Sequence, residues 1–168
     1  GVGGGLVVNE HLLSGPNAIT GEWGHTPLPD PTDDERPGPA CYCGHRGCVE
    51  SWLSGPAMVA DHRLRQESTL IPTDIAQYAT SGNGECAETM GRYFDRLSRA
   101  LAMVINIVDP HVVVLGGGVS RIDALYTEIP QRWEAHIFSE HVSTQLRRAR
   151  HGDAGGVRGA AWLWPRTK

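Results

Sequence analysis

Between about Gly84 and Val108 the apolar residues Ala87, Met90, Phe94, Leu97, Leu101, Ile105 and Val108 recur at steps of three and four. That spacing places them on one stripe of a long helix. Asp109-Pro110 should end it, since proline supplies no amide hydrogen and biases its predecessor away from helical backbone. The pattern then changes period. Val112-Val113-Val114-Leu115 is an unbroken β-branched run, expected as a strand buried on both faces, and it empties into Gly116-Gly117-Gly118. Further along, a helix near Ile122–Ile137 bent at Pro130, a strand near Val142–Leu146 and a last apolar helix from about Gly156 to Trp164 complete an α/β order.

The first half is more broken. Leu6-Val7-Val8 and Leu12-Leu13 flank a turn at Asn9-Glu10 and suggest a short hairpin. From Ser14 to Pro39 glycine, proline, aspartate and threonine dominate. No helix is expected there, and the acidic, proline-rich stretch Pro29–Pro39 reads as exposed loop. Ser54 can cap a helix entered through Pro56 and running toward Arg65, and Thr73 can cap another. The chain opens within the glycine string Gly1-Val2-Gly3-Gly4-Gly5, with no strand leading into it, and so reads as cut inside a structural unit.

Length and charge narrow the classes. The 168 residues suffice for one core and are too few for two full domains. Lysine and arginine total 15 against 19 acids, a net charge of −4. Without a broad cationic surface, no nucleic-acid partner is expected. No apolar run is long enough to span a membrane and no secretory signal opens the chain, so neither a membrane partner nor export is expected and the location should be cytoplasmic.

Cysteines add a sharper signal. Cys41, Cys43 and Cys48 lie within eight residues, while Cys86 stands in the long helix. A Cys-x-Cys pair and a third cysteine five residues on can wrap a tetrahedral zinc ion if Gly44 and Gly47 allow the turns. His25 or His45 could complete the set, and spacing does not choose between them. A disulfide framework is disfavoured by the odd cysteine within the cluster. A closed shell of four donors would be structural, and its binding would supply folding free energy on the order of 10 kcal/mol or more.

The string Gly21-Glu22-Trp23-Gly24-His25, the cluster Cys41-Tyr42-Cys43-Gly44-His45-Arg46-Gly47-Cys48-Val49-Glu50 and the following Ser54-Gly55 together resemble the signature of the ROK family of sugar kinases and sugar-responsive repressors. Gly1–Gly5, Asp109-Pro110, Leu115–Gly118, His151-Gly152-Asp153 and Gly159-Ala160-Ala161 also look like family landmarks, so the resemblance covers nearly the whole chain. Among family members the wording of these motifs looks most like bacterial fructokinases, with N-acetylglucosamine kinases close behind.

The resemblance implies a ribonuclease-H-like α/β fold of the actin-like ATPase and sugar kinase type, with an inserted zinc loop over 25–50. It implies that residues 1–154 form the C-terminal domain of such a kinase, and that 155–168 form a helix closing on an N-terminal domain outside this sequence. It makes His25 the fourth zinc ligand beside Cys41, Cys43 and Cys48, and a sugar contact as well, leaving His45 on the surface. Glu22 and Glu50 would accept hydrogen bonds from sugar hydroxyls, as ionised carboxylates do well. Gly1, Gly3 and Gly4 would lie near the phosphates of ATP and Gly116, Gly117 and Gly118 near its adenosine, with Mg²⁺ accompanying the nucleotide.

Phosphoryl transfer also needs a base, and the family's aspartate would precede Gly1. Asp30, Asp33 and Asp34 are poor substitutes in a loop, so this chain alone should not turn over. The expected reaction is ATP-dependent phosphorylation of fructose to fructose 6-phosphate. The alternatives are N-acetylglucosamine or another hexose as acceptor, or the sugar-sensing part of a repressor. A homodimer is the family's common assembly.

Overall fold

A computed structural model describes residues 1–65 and 67–161. The opening hairpin pairs β1 (Val7–Val8) with β2 (His11–Leu12), Val8 opposite His11. Its turn residues Asn9 and Glu10 both have positive φ, 51° and 66°, which gives the two-residue turn the twist that hairpin strands favour.

Four helices follow the cysteine cluster. The short α1 (Glu50–Leu53) was not evident from sequence, because four residues hold barely one turn of periodicity. Next comes α2 (Gly55–Arg63), where Ser54 accepts the Ala57 amide as an N-cap and a proline occupies the first turn as expected. In α3 (Pro72–Thr80) the cap position falls to Ile71 and Pro72 enters the first turn, so Thr73 lies inside the helix and not at its cap. The long helix α4 (Gly84–Val108) is capped by the Asn83 side chain at Cys86 N and ends on Asp109 in the left-handed region.

The molecule is organised around α4, which packs against α3, α5 and more sparsely against α1 and α2. Met90, Phe94, Leu97, Leu101 and Ile105 of the expected stripe are buried, whereas Ala87 and Val108 at its ends are exposed. Burial extends beyond one stripe to Cys86, Tyr93, Ala100 and Ala102, because neighbours enclose the helix on several sides. Met58, Ile75, Leu125, Ile129 and Trp133 close this core, each worth about 1.5–3 kcal/mol when fully buried.

The β-branched run forms β3 (Val112–Leu115), paired in parallel with β4 (Gln145–Arg148) in the register Val112↔Gln145. Val112 and Val114 are 45% and 56% exposed, so the expectation of burial on both faces is not met. Among the described residues β3 pairs with β4 alone, and Val113 and Leu115 on its other face pack on the core. The second strand also starts later than its apolar pattern suggests.

Between them α5 (Leu125–Trp133) contains Pro130 and is flanked by 3-10 turns at Gly118–Arg121 and Glu134–His136, which accounts for the longer helix read over Ile122–Ile137. The final helix α6 spans Gly155–Ala161, and the remainder of the stretch expected to Trp164 lies outside the described residues.

The loop from Ser14 to Pro39 departs most from expectation. It holds two 3-10 turns, Trp23–His25 and Asp33–Glu35. The second is fixed to α4, with Glu35 only 6% exposed against Arg96 and Arg99. A stretch read as surface loop from its composition is anchored by a buried charge.

Candidate functional site: a thiol and imidazole cluster beside a glycine-lined cleft

The first five residues lie directly against the segment that carries His25. Gly21 has φ of +91°, and a side chain there would collide with the backbone of Gly4; one at Gly24 would collide with Val2 O. The glycines in Gly21-Glu22-Trp23-Gly24-His25 therefore permit two backbones to touch. Trp23 Nε1 donates to Gly3 O at 3.1 Å and completes the junction.

His25 ends a 3-10 turn, its amide bonded to Glu22 O. The next residues return beside the cysteine cluster: Leu28 N donates to Gly47 O and Val49 N to Thr26 O, both at 2.9 Å. The cluster is itself a small hairpin, with Cys41 N donating to His45 O and Gly44 N to Cys41 O, and positive φ at Gly44 and Gly47. These backbone pairings bring one ligand atom each from His25, Cys41, Cys43 and Cys48 within 4.8 Å of one another.

Two of these edges are informative. Cys43 Sγ lies 3.6 Å from Cys48 Sγ, and His25 Nδ1 lies 3.6 Å from Cys41 Sγ. A disulfide needs about 2.05 Å, and all the cysteines are free. A tetrahedron with metal–sulfur bonds of about 2.3 Å has sulfur–sulfur edges of about 3.8 Å. The four groups thus fit a tetrahedral cation of the zinc class, with Nδ1 as the inward nitrogen of His25. His45 is exposed, outside this group, with Nδ1 3.5 Å from Cys43 Sγ.

The thiols are electrostatically unequal. Burial, then the neighbouring sulfurs, pushes Cys48 up to about 12, while the backbone hydrogen bond at His45 outweighs burial and, with help from the neighbouring thiols, draws Cys43 below the ordinary thiol value. Crowded sulfurs cannot all ionise unless a cation joins them.

Around the cluster stand the predicted sugar contacts. Glu50 opens α1, is partly buried, and accepts the Val2 amide on Oε2 at 2.7 Å. Glu22 is about half exposed, with Oε2 3.9 Å from His25 Nε2. That same nitrogen lies 2.8 Å from Tyr42 Oη. Local desolvation of its hydroxyl, then the negative charge of Glu50, Cys41 and Glu22, raises the Tyr42 phenol above its ordinary value, although most of the side chain is exposed. No sequence signal marks Tyr42 as a contact of His25; its position between two inward cysteines turns it outward, toward that ring.

An open cleft of about 1010 Å³ adjoins this cluster. Gly1, Gly3 and Gly4 line it together with Gly116, Gly117 and Gly118, so both glycine strings face one space, as does Glu22. Leu101 and Val104 of α4 contribute an apolar wall. Asp33 and Asp34 remain on an exposed turn and Asp30 is exposed in the same loop; none lines this cleft. Among the described residues no helix is long and apolar enough to cross a membrane.

Comparison with known proteins extends this picture. The model of a family described as ROK matches residues 1–167. The chain is 41% identical over 167 residues to the N-acetyl-D-glucosamine kinase of Yersinia pseudotuberculosis, covering 97% of this chain and 55% of that protein. Among solved structures it superposes on a ROK hexokinase from Thermus thermophilus with a TM-score of 0.78 and 28% identity, over 95% of this chain and 52% of the other. It also matches a ROK family transcriptional regulator, a homologue of the E. coli MLC protein, with a TM-score of 0.69 and 25% identity, over 87% of this chain and 38% of the other. The chain therefore spans about half the length of the curated relatives it matches. Its α/β architecture is that of ROK sugar kinases.

Proposed function

Since this chain belongs to the ROK family, we propose that it forms the C-terminal, sugar- and nucleotide-gripping part of an ATP-dependent hexose kinase whose acceptor is N-acetylglucosamine. Residues 1–154 would supply the binding domain, and 155–168 would close on an N-terminal domain that carries the base. The observation that carries this reading is the shared cleft: both glycine strings and Glu22 face it, with Glu50 tied to its edge through Val2.

The roles follow from chemistry. Glu22 and Glu50 accept hydrogen bonds from sugar hydroxyls and fix the ring, since a carboxylate takes such protons in defined directions. His25 presents Nε2 toward the same side, where Tyr42 Oη now sits. Main-chain amides at Gly1, Gly3 and Gly4 approach the phosphates, and Gly116–Gly118 leave room for the adenosine. Mg²⁺ would accompany ATP. The sugar hydroxyl oxygen bonds to the γ-phosphorus as the bond to ADP breaks, and the hydroxyl proton passes to a carboxylate outside this chain. Zinc held by His25, Cys41, Cys43 and Cys48 would be structural, a closed shell with no open position for water.

Fructose is the acceptor that the motif wording suggests, but N-acetylglucosamine has the better support. The 41% identical relative is named for it, and so is a second at 38% identity from Photobacterium profundum. A coupled-enzyme assay of the complete kinase across N-acetylglucosamine, fructose, mannose and glucose tests the choice. The highest kcat/KM should fall on N-acetylglucosamine. A preference for fructose would reinstate the first expectation, and no turnover of any sugar would favour the repressor's sensing domain. The isolated chain should be inactive in the same assay.

A further inference from the structure

The stretch 29–36 separates His25 from the cysteine donors, and one side chain of α4 grips it at both ends. Arg99 Nη1 donates to Pro29 O at 2.8 Å and to Asp30 O at 2.7 Å, while Nη2 donates to both Glu35 carboxylate oxygens at 2.9 Å. Arg96 Nε adds a second bond to Glu35 Oε1 at 2.7 Å. Glu35 in turn accepts the Thr32 amide and so closes its own turn. All three charged side chains are nearly sealed from water, at 4–6% exposure.

The same network reaches the sugar side. The Arg96 guanidinium lies over the Trp52 ring, 4.3 Å from its centre, and Nη1 binds Asp61 of α2 at 3.0 Å. Trp52 belongs to α1, the helix that Glu50 opens. Loop, α1, α2 and α4 therefore meet on one set of charges.

Burying an ion pair brings little net stability, because desolvation offsets the attraction. What a forked arginine on a carboxylate fixes is position. Bringing His25 and Cys41 to one ion across an unanchored 26–40 segment has an entropic cost that grows with the free length. Pinning the segment at Pro29, Asp30 and Glu35 leaves only short free links on either side.

We infer that Glu35, held by Arg96 and Arg99, is a positioning residue that presets the geometry of the His25, Cys41, Cys43 and Cys48 donor set. This rests on reading those four residues as metal ligands. The test uses the 168-residue chain, zinc and a chromophoric competing chelator, with Glu35→Gln compared against Ile105→Val, a mild core truncation on the same helix.

Glu35→Gln should raise the zinc dissociation constant by about tenfold, the low end of the loss when a group bonded directly to a metal ligand is removed, since Glu35 acts on the donors only through the loop. Amide exchange over 29–40 should accelerate in the metal-free protein. Ile105→Val should lower the melting temperature and leave zinc affinity unchanged. Unaltered zinc affinity in Glu35→Gln overturns the inference, as does an equal loss in Ile105→Val. A wild-type chain that takes up no zinc sinks the metal reading, and with it the role toward the donors; faster exchange in Glu35→Gln would in that case still uphold the anchor itself.

Discussion

Val2 donates its amide to Glu50 Oε2 at 2.7 Å, joining the glycine string to the helix that follows the cysteine cluster. One carboxylate thereby serves two strands of the proposed mechanism. Its Oε2 holds the edge of the cleft through Val2, and the proposed role would place a sugar hydroxyl on its other oxygen.

Replacing Glu50 by glutamine keeps the shape and removes the charge. A charge-assisted hydrogen bond contributes about 1.5–3 kcal/mol, so sugar affinity in the complete kinase should fall by roughly tenfold or more. Zinc content should not change, because Glu50 is outside the donor set. Calorimetry with N-acetylglucosamine and metal analysis on the same preparation check both halves; unchanged sugar affinity counts against the role of Glu50.

His25→Ala should act differently. Removing one of four donors opens the shell, and zinc content should drop well below one per chain, with the melting temperature falling toward that of the stripped wild type. Sugar affinity should fall with it, since Nε2 of the same ring faces Glu22 and Tyr42. Loss of metal with full retention of sugar binding would separate the two roles and refute the second.

The thiols offer a direct readout of metal removal. In stripped protein Cys43, whose thiol is drawn below its ordinary pKa, should react first with iodoacetamide. Cys48, pushed up to about 12 and only 1% exposed, should lag far behind. Adding zinc should protect Cys41, Cys43 and Cys48 together while Cys86, buried in α4 and raised by that burial, stays slow throughout. Peptide mass mapping distinguishes the sites, and equal rates at Cys43 and Cys48 would contradict the unequal environments.

How far the sequence could be read depended on whether a signal was local. The bounds of α4 were legible because its apolar period runs unbroken until Asp109-Pro110. The hairpin turn was legible too, since Asn9 sits between two apolar pairs and tolerates positive φ. The donors of the cluster were legible as chemistry, but the choice of His25 over His45 came from family resemblance, because segment 26–40 hides the proximity of His25. Other features depend on partners distant in sequence. Nothing around Glu35 announces Arg96 and Arg99, more than sixty positions away. The exposure of Val112 and Val114 likewise depends on which elements cover β3, something a β-branched run does not specify. Two short features, α1 and the outward turn of Tyr42 toward His25, carry too few residues for any period to register.

Acid titration provides a last check on the loop anchor. Burial alone would raise the Glu35 pKa, but hydrogen bonds from Arg96 and the Thr32 amide, with the Arg99 charge, outweigh it and hold the carboxyl below its ordinary 4.5. A depressed carboxyl contributes stability that is complete above the unfolded value and is lost as pH falls through the folded one. Metal-free wild type should therefore lose urea resistance below about pH 4.5 more steeply than Glu35→Gln, which has no proton to take up at that position. The variant should also be weaker at neutral pH, by less than the roughly 3–5 kcal/mol of a wholly uncompensated charge, because Asp61 and Asp95 still face Arg96 and Arg99. The difference between the two curves isolates Glu35 from the other carboxylates of the network. Parallel slopes between pH 6 and pH 3 would mean that the carboxylate is not ionised against Arg96 and Arg99 as the geometry requires.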